Sequence, residues 1–323
     1  ILLLGVLVGA LVYRWADGVA PHGLRGRWAG LLALALVALD PNAIAHAALI
    51  TTDTAAVLLS LATLYVLERF LKASQGRRRR VWGLVATGVL LGLAQLTKVS
   101  ALMLAPVMGL LLLIGALEER RSHLSTTAAV GRFALVIAVA AIVVWAGYGF
   151  EIGRIEGVTL PVPAATHVRI YQSLNEHYEL GHPTFALGRV SDHGWWWYFA
   201  LAFLVKTPLP TLLLALGALI LGASRSVRRM AASRSVRGDR LSTPASVAFF
   251  PILYAIASLF SSVNIGYRHL LPLLPFLAIA IGAVLTSGRL PVWVPAALGA
   301  ALIWLAAGTL RTLPYPLTFF NEL

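Results

Sequence analysis

Cysteine is absent from all 323 residues, which excludes disulfides and thiolate metal sites and is compatible with an oxidising exterior. Charge is scarce as well: Asp, Glu, Lys and Arg make up 12% of the chain, where a soluble globular domain carries about 25%. Acids are the scarcer half, 13 against 26 bases. Signatures common in soluble enzymes are missing too. There is no glycine-rich phosphate loop, no GxSxG nucleophile motif and no HExxH metal helix, so the chemistries those motifs carry have no foothold here. What fills the sequence is apolar, with 59% hydrophobic residues and a mean hydropathy of +0.82. The solvent of this chain is a bilayer.

The apolar residues fall into about ten runs, 1–13, 28–40, 54–71, 82–97, 99–117, 131–150, 195–222, 246–262, 270–287 and 290–309. They predict an all-α integral membrane protein, a polytopic helical bundle of about ten spans. Several runs are shorter than the roughly 20 residues a full crossing needs. Broken spans and recessed starts are therefore expected, and 28–40 with 54–71 form a candidate re-entrant pair. Run 1–13 has no basic region before it and is not read as a signal peptide. The chain opens in mid-run and stops abruptly, which reads as an internal piece of a longer protein. On this reading 1–310 is the transmembrane domain, 151–194 an extracytoplasmic loop, and 311–323 the start of an extracytoplasmic C-terminal segment.

A net charge of +13 is the kind of excess that can signal nucleic acid, but its placement argues otherwise. When alternate loops are assigned to two sides, nineteen Lys/Arg fall on one side, in 14–27, 69–80, 118–132, 225–240 and 287–290. The other side holds Lys98, Arg154, Arg169, Arg189, Arg268 and Arg311. Such a bias orients membrane proteins with the basic side cytoplasmic. Arg77–Arg80 and the arginines between Ser224 and Arg240 are thus expected to be cytoplasmic anchors that attract anionic lipid. Nucleic acid is not an expected partner. His46, His167, His177, His182, His193 and His269 fall on the opposite side, with Asp53, Glu151, Glu156, Glu176, Glu179, Asp192 and Glu322. Chemistry therefore belongs to the outer face.

The outer loop 151–194 has room for a substructure. In THVRIYQSLNEHYELGH the residues Val168, Tyr171, Leu174 and Tyr178 recur at helical spacing, which predicts an amphipathic helix lying on the bilayer surface and ended by Gly181 and Pro183. His177, His182, His193, Glu176, Glu179 and Asp192 could in principle ligate a divalent metal, but their spacing matches no metal motif, and a solvated loop is the plainer reading.

The most informative stretch is 194–210, GWWWYFALAFLVKTPLP. Three tryptophans and a tyrosine mark a membrane–water boundary. Lys206 follows at a depth where a cation costs about 2.5–3.5 kcal/mol unless it snorkels or meets an anion. Pro208 and Pro210 remove helix hydrogen bonds beside it, which predicts packed protein or a cavity there. Arg268 and His269 stand at the outer mouth of another span, in SSVNIGYRHLLPLLPF, and Lys98 lies at a turn between spans in LTKVSALMLAPV. Three cations at outer helix ends suit a phosphate, above all Arg268 with its planar fork of donors. Snorkelling or pairing with an acid is the structural alternative for each. In DPNAIAHAALITTDT, Thr51, Thr52 or Asp53 is read as a helix cap. Asp53 alternatively faces an outer cavity to position a sugar hydroxyl or a cation. His46 is read as a packed residue.

PNAIAHAALITTDTAAVLLSLATLYVLERFL, GLAQLTKVSALMLAPV, HGWWWYFALAFLVKTPLP, NIGYRHLLPLLPF and the terminal FFNEL together resemble, in this order, the family 39 glycosyltransferases. These are bacterial relatives of the protein O-mannosyltransferases and of the aminoarabinose transferase that modifies lipid A. The resemblance implies a GT-C fold with an extracytoplasmic active site in the bacterial inner membrane. It implies a hexosyl or pentosyl transfer, with inversion, from a polyprenyl-phosphate carrier to a protein, glycan or lipid acceptor. Lys206, Arg268 and Lys98 then become the expected phosphate contacts, and His269, Tyr267 and His182 the expected sugar or acceptor contacts. Divalent metals assist some relatives and not others, so no cofactor is assigned. The family's acidic catalytic motif lies in the first outer loop, and the chain begins beyond it. The expected general base is thus upstream of Ile1, and the resemblance promotes none of Asp53, Asp192 or Glu176 to that role, although Asp53 is the first residue to examine inside the chain.

Two rivals fit the same composition. A lipid or solute transporter also carries prolines and intramembrane charge, but here the polar residues gather at one face and no repeat symmetry is visible. A non-enzymatic subunit of an envelope complex is the other.

Overall fold

Apolar runs fold as helices in lipid because every backbone polar group must be satisfied within its own segment. The computed structural model describes residues 1–20, 23–72, 77–118, 125–231, 243–287 and 291–323. Thirteen α-helices follow in order: α1 (Leu2–Val19), α2 (Leu24–Ala38), α3 (Pro41–Ala48), α4 (Asp53–Lys72), α5 (Arg77–Thr97), α6 (Leu104–Glu118), α7 (Ser125–Gly147), α8 (Ala165–Leu180), α9 (Tyr198–Lys206), α10 (Leu209–Ala231), α11 (Thr243–Leu259), α12 (Leu273–Thr286) and α13 (Trp293–Thr312). The polytopic helical architecture expected from the sequence is what is found.

Among the described residues, five helical segments are long and apolar enough to cross a membrane: Leu2–Val19, Asp53–Leu71, Val99–Ala116, Thr127–Gly147 and Trp293–Thr312. Two bent pairs raise the number to seven, and Val81–Thr97, Val247–Leu259 and Leu273–Thr286 are shorter apolar helices. Each of the ten apolar runs thus corresponds to a helix or a bent pair. The re-entrant pairing needs correction: α2 bends by 64° into α3, and α4 is long enough to cross alone. Asp40 caps the new helix by accepting from the amide of Ala43 at 2.9 Å, and Pro41 takes its first position, where the missing N–H costs nothing.

The chain divides into two compact units. The first comprises Ile1–Leu58, Phe199–Pro251 and Gly266–Leu323. Its core sets Trp15 of α1 edge-on against Phe276 of α12, ring centres 5.7 Å apart, with Phe250 packed on the other side at 5.0 Å. Backbones approach closely here. A Cβ on Gly282 would stand 2.5 Å from the carbonyl oxygen of Ala29, the close contact that small residues permit between membrane helices. At the basic end of this unit Arg225 donates to the carbonyl of Val284 at 2.7 Å and to Ser287 Oγ at 2.8 Å, closing the end of α12. The side chains of Arg77–Arg80 and most arginines between Ser224 and Arg240 lie outside the described residues.

The second unit comprises Leu59–Tyr198 and Ile252–Ile265. Gly88 and Gly92 of α5, four residues apart, face α7. A Cβ on either would fall 2.6–2.7 Å from the Cβ of Val139 or Val143.

This unit also holds the outer loop. Its helix α8 ends where expected, with Gly181 at φ +79°, and its stripe is the half-buried face. The bilayer-surface placement is corrected at Tyr171, whose hydroxyl donates to Gln95 of α5 at 2.6 Å. Protein, not lipid, receives that part of the stripe. Two short antiparallel hairpins flank α8, Ile152–Gly153 with Val162–Pro163 and Thr184–Ala186 with Arg189–Ser191.

Candidate functional site

The most constrained chemistry in the first unit surrounds the bend of 109° between α9 and α10. An amide at position i serves the carbonyl at i−4 in an α-helix, so Pro208 cannot serve Leu204, and Pro210 cannot serve Lys206. Side chains from elsewhere replace them. Asn321 Nδ2 donates to the carbonyl of Leu204 at 2.5 Å and to that of Thr207 at 2.8 Å, while its backbone amide donates to Val205 at 2.9 Å. Asn42, buried at the start of α3, donates to the carbonyl of Lys206 at 2.8 Å. The break is therefore a fully satisfied one. The α2–α3 bend is held the same way, with Thr309 Oγ1 donating to the carbonyl of Leu39 at 2.5 Å.

Lys206 ends α9, and its ammonium sits at this bend. Nζ donates to the carbonyl of Leu317 at 3.0 Å and lies 3.8 Å above the ring of Phe320. Among the described residues it has no carboxylate partner, so the acid-paired alternative has no support here. An ammonium has three donors and no acceptor, and only one donor is engaged.

Beside Lys206, Thr207 is fully buried, and its hydroxyl stands 2.9 Å from the hydroxyl of Tyr267. Tyr267 opens the 3-10 turn Tyr267–Leu270. Burial, and then the nearby Asp40 carboxyl, push its phenol well above the ordinary value of 10.0, so it remains a proton donor. Tyr267, expected as a sugar or acceptor contact, has its ring buried and its hydroxyl engaged with that of Thr207. Arg268 is exposed and, among the described residues, has no hydrogen bond or ion pair from its side chain. His269 packs against Phe199 of α9, ring centres 5.9 Å apart. Asp53 is buried at the first turn of α4, its Oδ2 3.9 Å from His46 Nδ1.

Lys98 and His182 belong to the second unit. Lys98 occupies the N-cap position of the 3-10 turn Val99–Met103 at the end of α5, without a side-chain capping bond. His182 Nδ1 lies 3.0 Å from the carbonyl of Pro183 at the base of a hairpin. In α8 of the same unit, His167 is wedged between Tyr148 and Tyr171, ring centres 5.5 and 5.2 Å away, and its burial lowers its pKa from the ordinary 6.5. Glu151 accepts from the amide and hydroxyl of Thr166, both at 3.0 Å, and these bonds hold its pKa below the ordinary 4.5, with Arg169 adding a smaller effect. Among the described residues no three His, Asp or Glu side chains gather as metal ligands. The His177 side chain lies outside them.

Sequence reasoning missed Asn42 and Asn321. The signal was present in Pro208 and Pro210, which announce two carbonyls in need of donors, but nothing in the sequence says which amides supply them.

Residues 2–153 match the family model described as dolichyl-phosphate-mannose-protein mannosyltransferase. Among solved structures, the fold is similar to that of ArnT from Cupriavidus metallidurans, crystallised with undecaprenyl phosphate bound, at a TM-score of 0.55 and 17% identity. The alignment covers 96% of this chain and 49% of that one, so the chain spans about half the length of the structure it matches. No curated protein sequence matches. The resemblance drawn from the sequence blocks stands on these two findings.

Proposed function

We propose that this family 39-like chain, with its GT-C type of helical fold, is the membrane part of a glycosyltransferase that moves a sugar from a polyprenyl-phosphate carrier to an acceptor at the extracytoplasmic face of the inner membrane. One observation carries the reading. Lys206 is fixed at a broken apolar helix with no carboxylate partner among the described residues, and the exposed Arg268 follows the residue that bonds to its neighbour Thr207. A cation held in an apolar setting without an acid is arranged for an anion that arrives from outside.

In the reaction, the bond between the anomeric carbon and the phosphate oxygen breaks as the acceptor oxygen attacks from the opposite side. The carrier phosphate leaves with the bonding electrons. Lys206, held at the bend, and Arg268, whose charge is permanent, stabilise its added charge. The acceptor proton passes to a carboxylate acting as general base. The positive-inside count supports the extracytoplasmic side.

The test uses the purified full-length protein in liposomes with a polyprenyl-phosphate sugar of either hexose or pentose type. Release of the polyprenyl phosphate together with a glycosylated acceptor, followed by mass spectrometry, is the expected result. Movement of the intact lipid between leaflets without cleavage would replace the transferase by a flippase.

A further inference from the structure

All four carbonyls from Leu204 to Thr207 accept hydrogen bonds from only two residues, Asn321 and Asn42, both remote in sequence. The short segment that brings Asn321 to the bend also carries the two groups that touch the ammonium. Leu317 accepts from Lys206 Nζ, and the Phe320 ring lies beneath it. Phe319 is buried, and Glu322 accepts from Trp304 Nε1 of α13 at 2.9 Å, which anchors the far end of the segment. Backbone and side chain of Lys206 are therefore gripped by one strap, residues 317–322, with Asn42 closing the opposite side.

We propose that Asn321 is the positioning residue for Lys206: by holding the carbonyls of Leu204, Val205 and Thr207, it fixes where the ammonium points and so how tightly the site holds a lipid phosphate. This rests on the reading of Lys206 as the phosphate contact. A lysine has four rotatable side-chain bonds and finds many positions when its backbone is loose. Two prolines leave this backbone without its own ladder. Removing the replacement donors lets the bend relax, and the ammonium then leaves its place over Phe320. A site preorganised for a charged group loses affinity when its supporting contacts loosen.

The experiment measures binding of undecaprenyl phosphate to the full-length protein in detergent, together with thermal unfolding. Four proteins are compared: wild type, Asn321→Leu, Lys206→Met and the double variant. Leu keeps the branched outline of Asn, is bulkier, and has no donor. The expected result is at least tenfold weaker binding for Asn321→Leu, with the double variant no weaker than Lys206→Met alone, since both changes act through one ammonium. Wild-type binding by Asn321→Leu, or an equal additional loss in the Lys206→Met background, overturns the proposal and assigns Asn321 a structural role only. Should Asn321→Leu fail to fold, Asn321→Ala decides. It removes the same Nδ2 donor without added bulk and keeps the backbone bond from residue 321 to Val205. At least threefold weaker binding supports the proposal, and unchanged binding overturns it. Unchanged binding by Lys206→Met would instead defeat the phosphate reading itself, an outcome separable from the others.

Discussion

Thr207 Oγ1 and the Tyr267 hydroxyl stand 2.9 Å apart, and each is the chain neighbour of a cation, Lys206 before the threonine and Arg268 after the tyrosine. This one buried bond ties the turn carrying Arg268 to the bend carrying Lys206. Thr207→Val leaves a buried phenol without its partner, and Tyr267→Phe leaves the threonine so. Each change should cost about 1–3 kcal/mol. The double variant should cost clearly less than the sum, read as chemical or thermal unfolding in detergent.

Lys206→Met and Arg268→Met should change expression and unfolding little, because neither removes an ion pair among the described residues. On the transferase reading proposed above, turnover of a polyprenyl-phosphate sugar by the full-length protein should fall at least about tenfold for each, the consequence of about 1.4 kcal/mol lost from the leaving phosphate. Folded variants with full turnover would remove both residues from the site.

The lowered pKa of His167 gives a sign to test. The histidine is held neutral between two tyrosines, so its contribution is present above the ordinary 6.5 and is lost as pH falls toward its depressed value. Glu151, also depressed, contributes above 4.5 and fails only at lower pH. Protection in α8, taken from amide exchange corrected for its intrinsic pH dependence, should therefore fall as pH drops below 6.5 in the wild type. In His167→Gln that step should vanish, while the one below pH 4.5 should remain.

How far the sequence could be read is clear from particular residues. Tryptophans, lysine and prolines in 194–210 gave the broken span and its isolated cation, because interface preference, burial cost and missing amides are local properties. The α8 stripe was legible for the same reason. The landing place of Tyr171 on Gln95 was not, since a periodic apolar face does not say whether lipid or protein covers it. Gly88 and Gly92 were passed over inside an apolar run, although their spacing of four is the mark of close helix contact. The assignment of donors to the bend was beyond reach, because Asn42 and Asn321 are ordinary polar residues until the fold brings them there.

Those glycines offer another check. Gly88→Leu and Gly92→Leu should overpack the α5–α7 contact and destabilise by about 1–3 kcal/mol or more. Gly131→Ala, where a Cβ meets nothing within 4 Å, should be neutral or slightly stabilising. Unfolding in detergent would reveal equal effects if the close approach were of no consequence.

The absence of cysteine makes topology directly testable. Single cysteines at Gly157 and Thr127, in an otherwise wild-type full-length chain, should be labelled by an impermeant maleimide from opposite sides, Gly157 from the exterior. Labelling from one side would overturn the assignment of loops.

Asn321 lies 117 residues after Leu204. At roughly 5–20 residues per second of synthesis, the kinked helix leaves the ribosome roughly 6–23 s before the amide that completes it. During that interval the bend has carbonyls facing apolar surroundings without their final donors. The cation at its end is correspondingly unfixed, so the site matures only after the closing strap has been made.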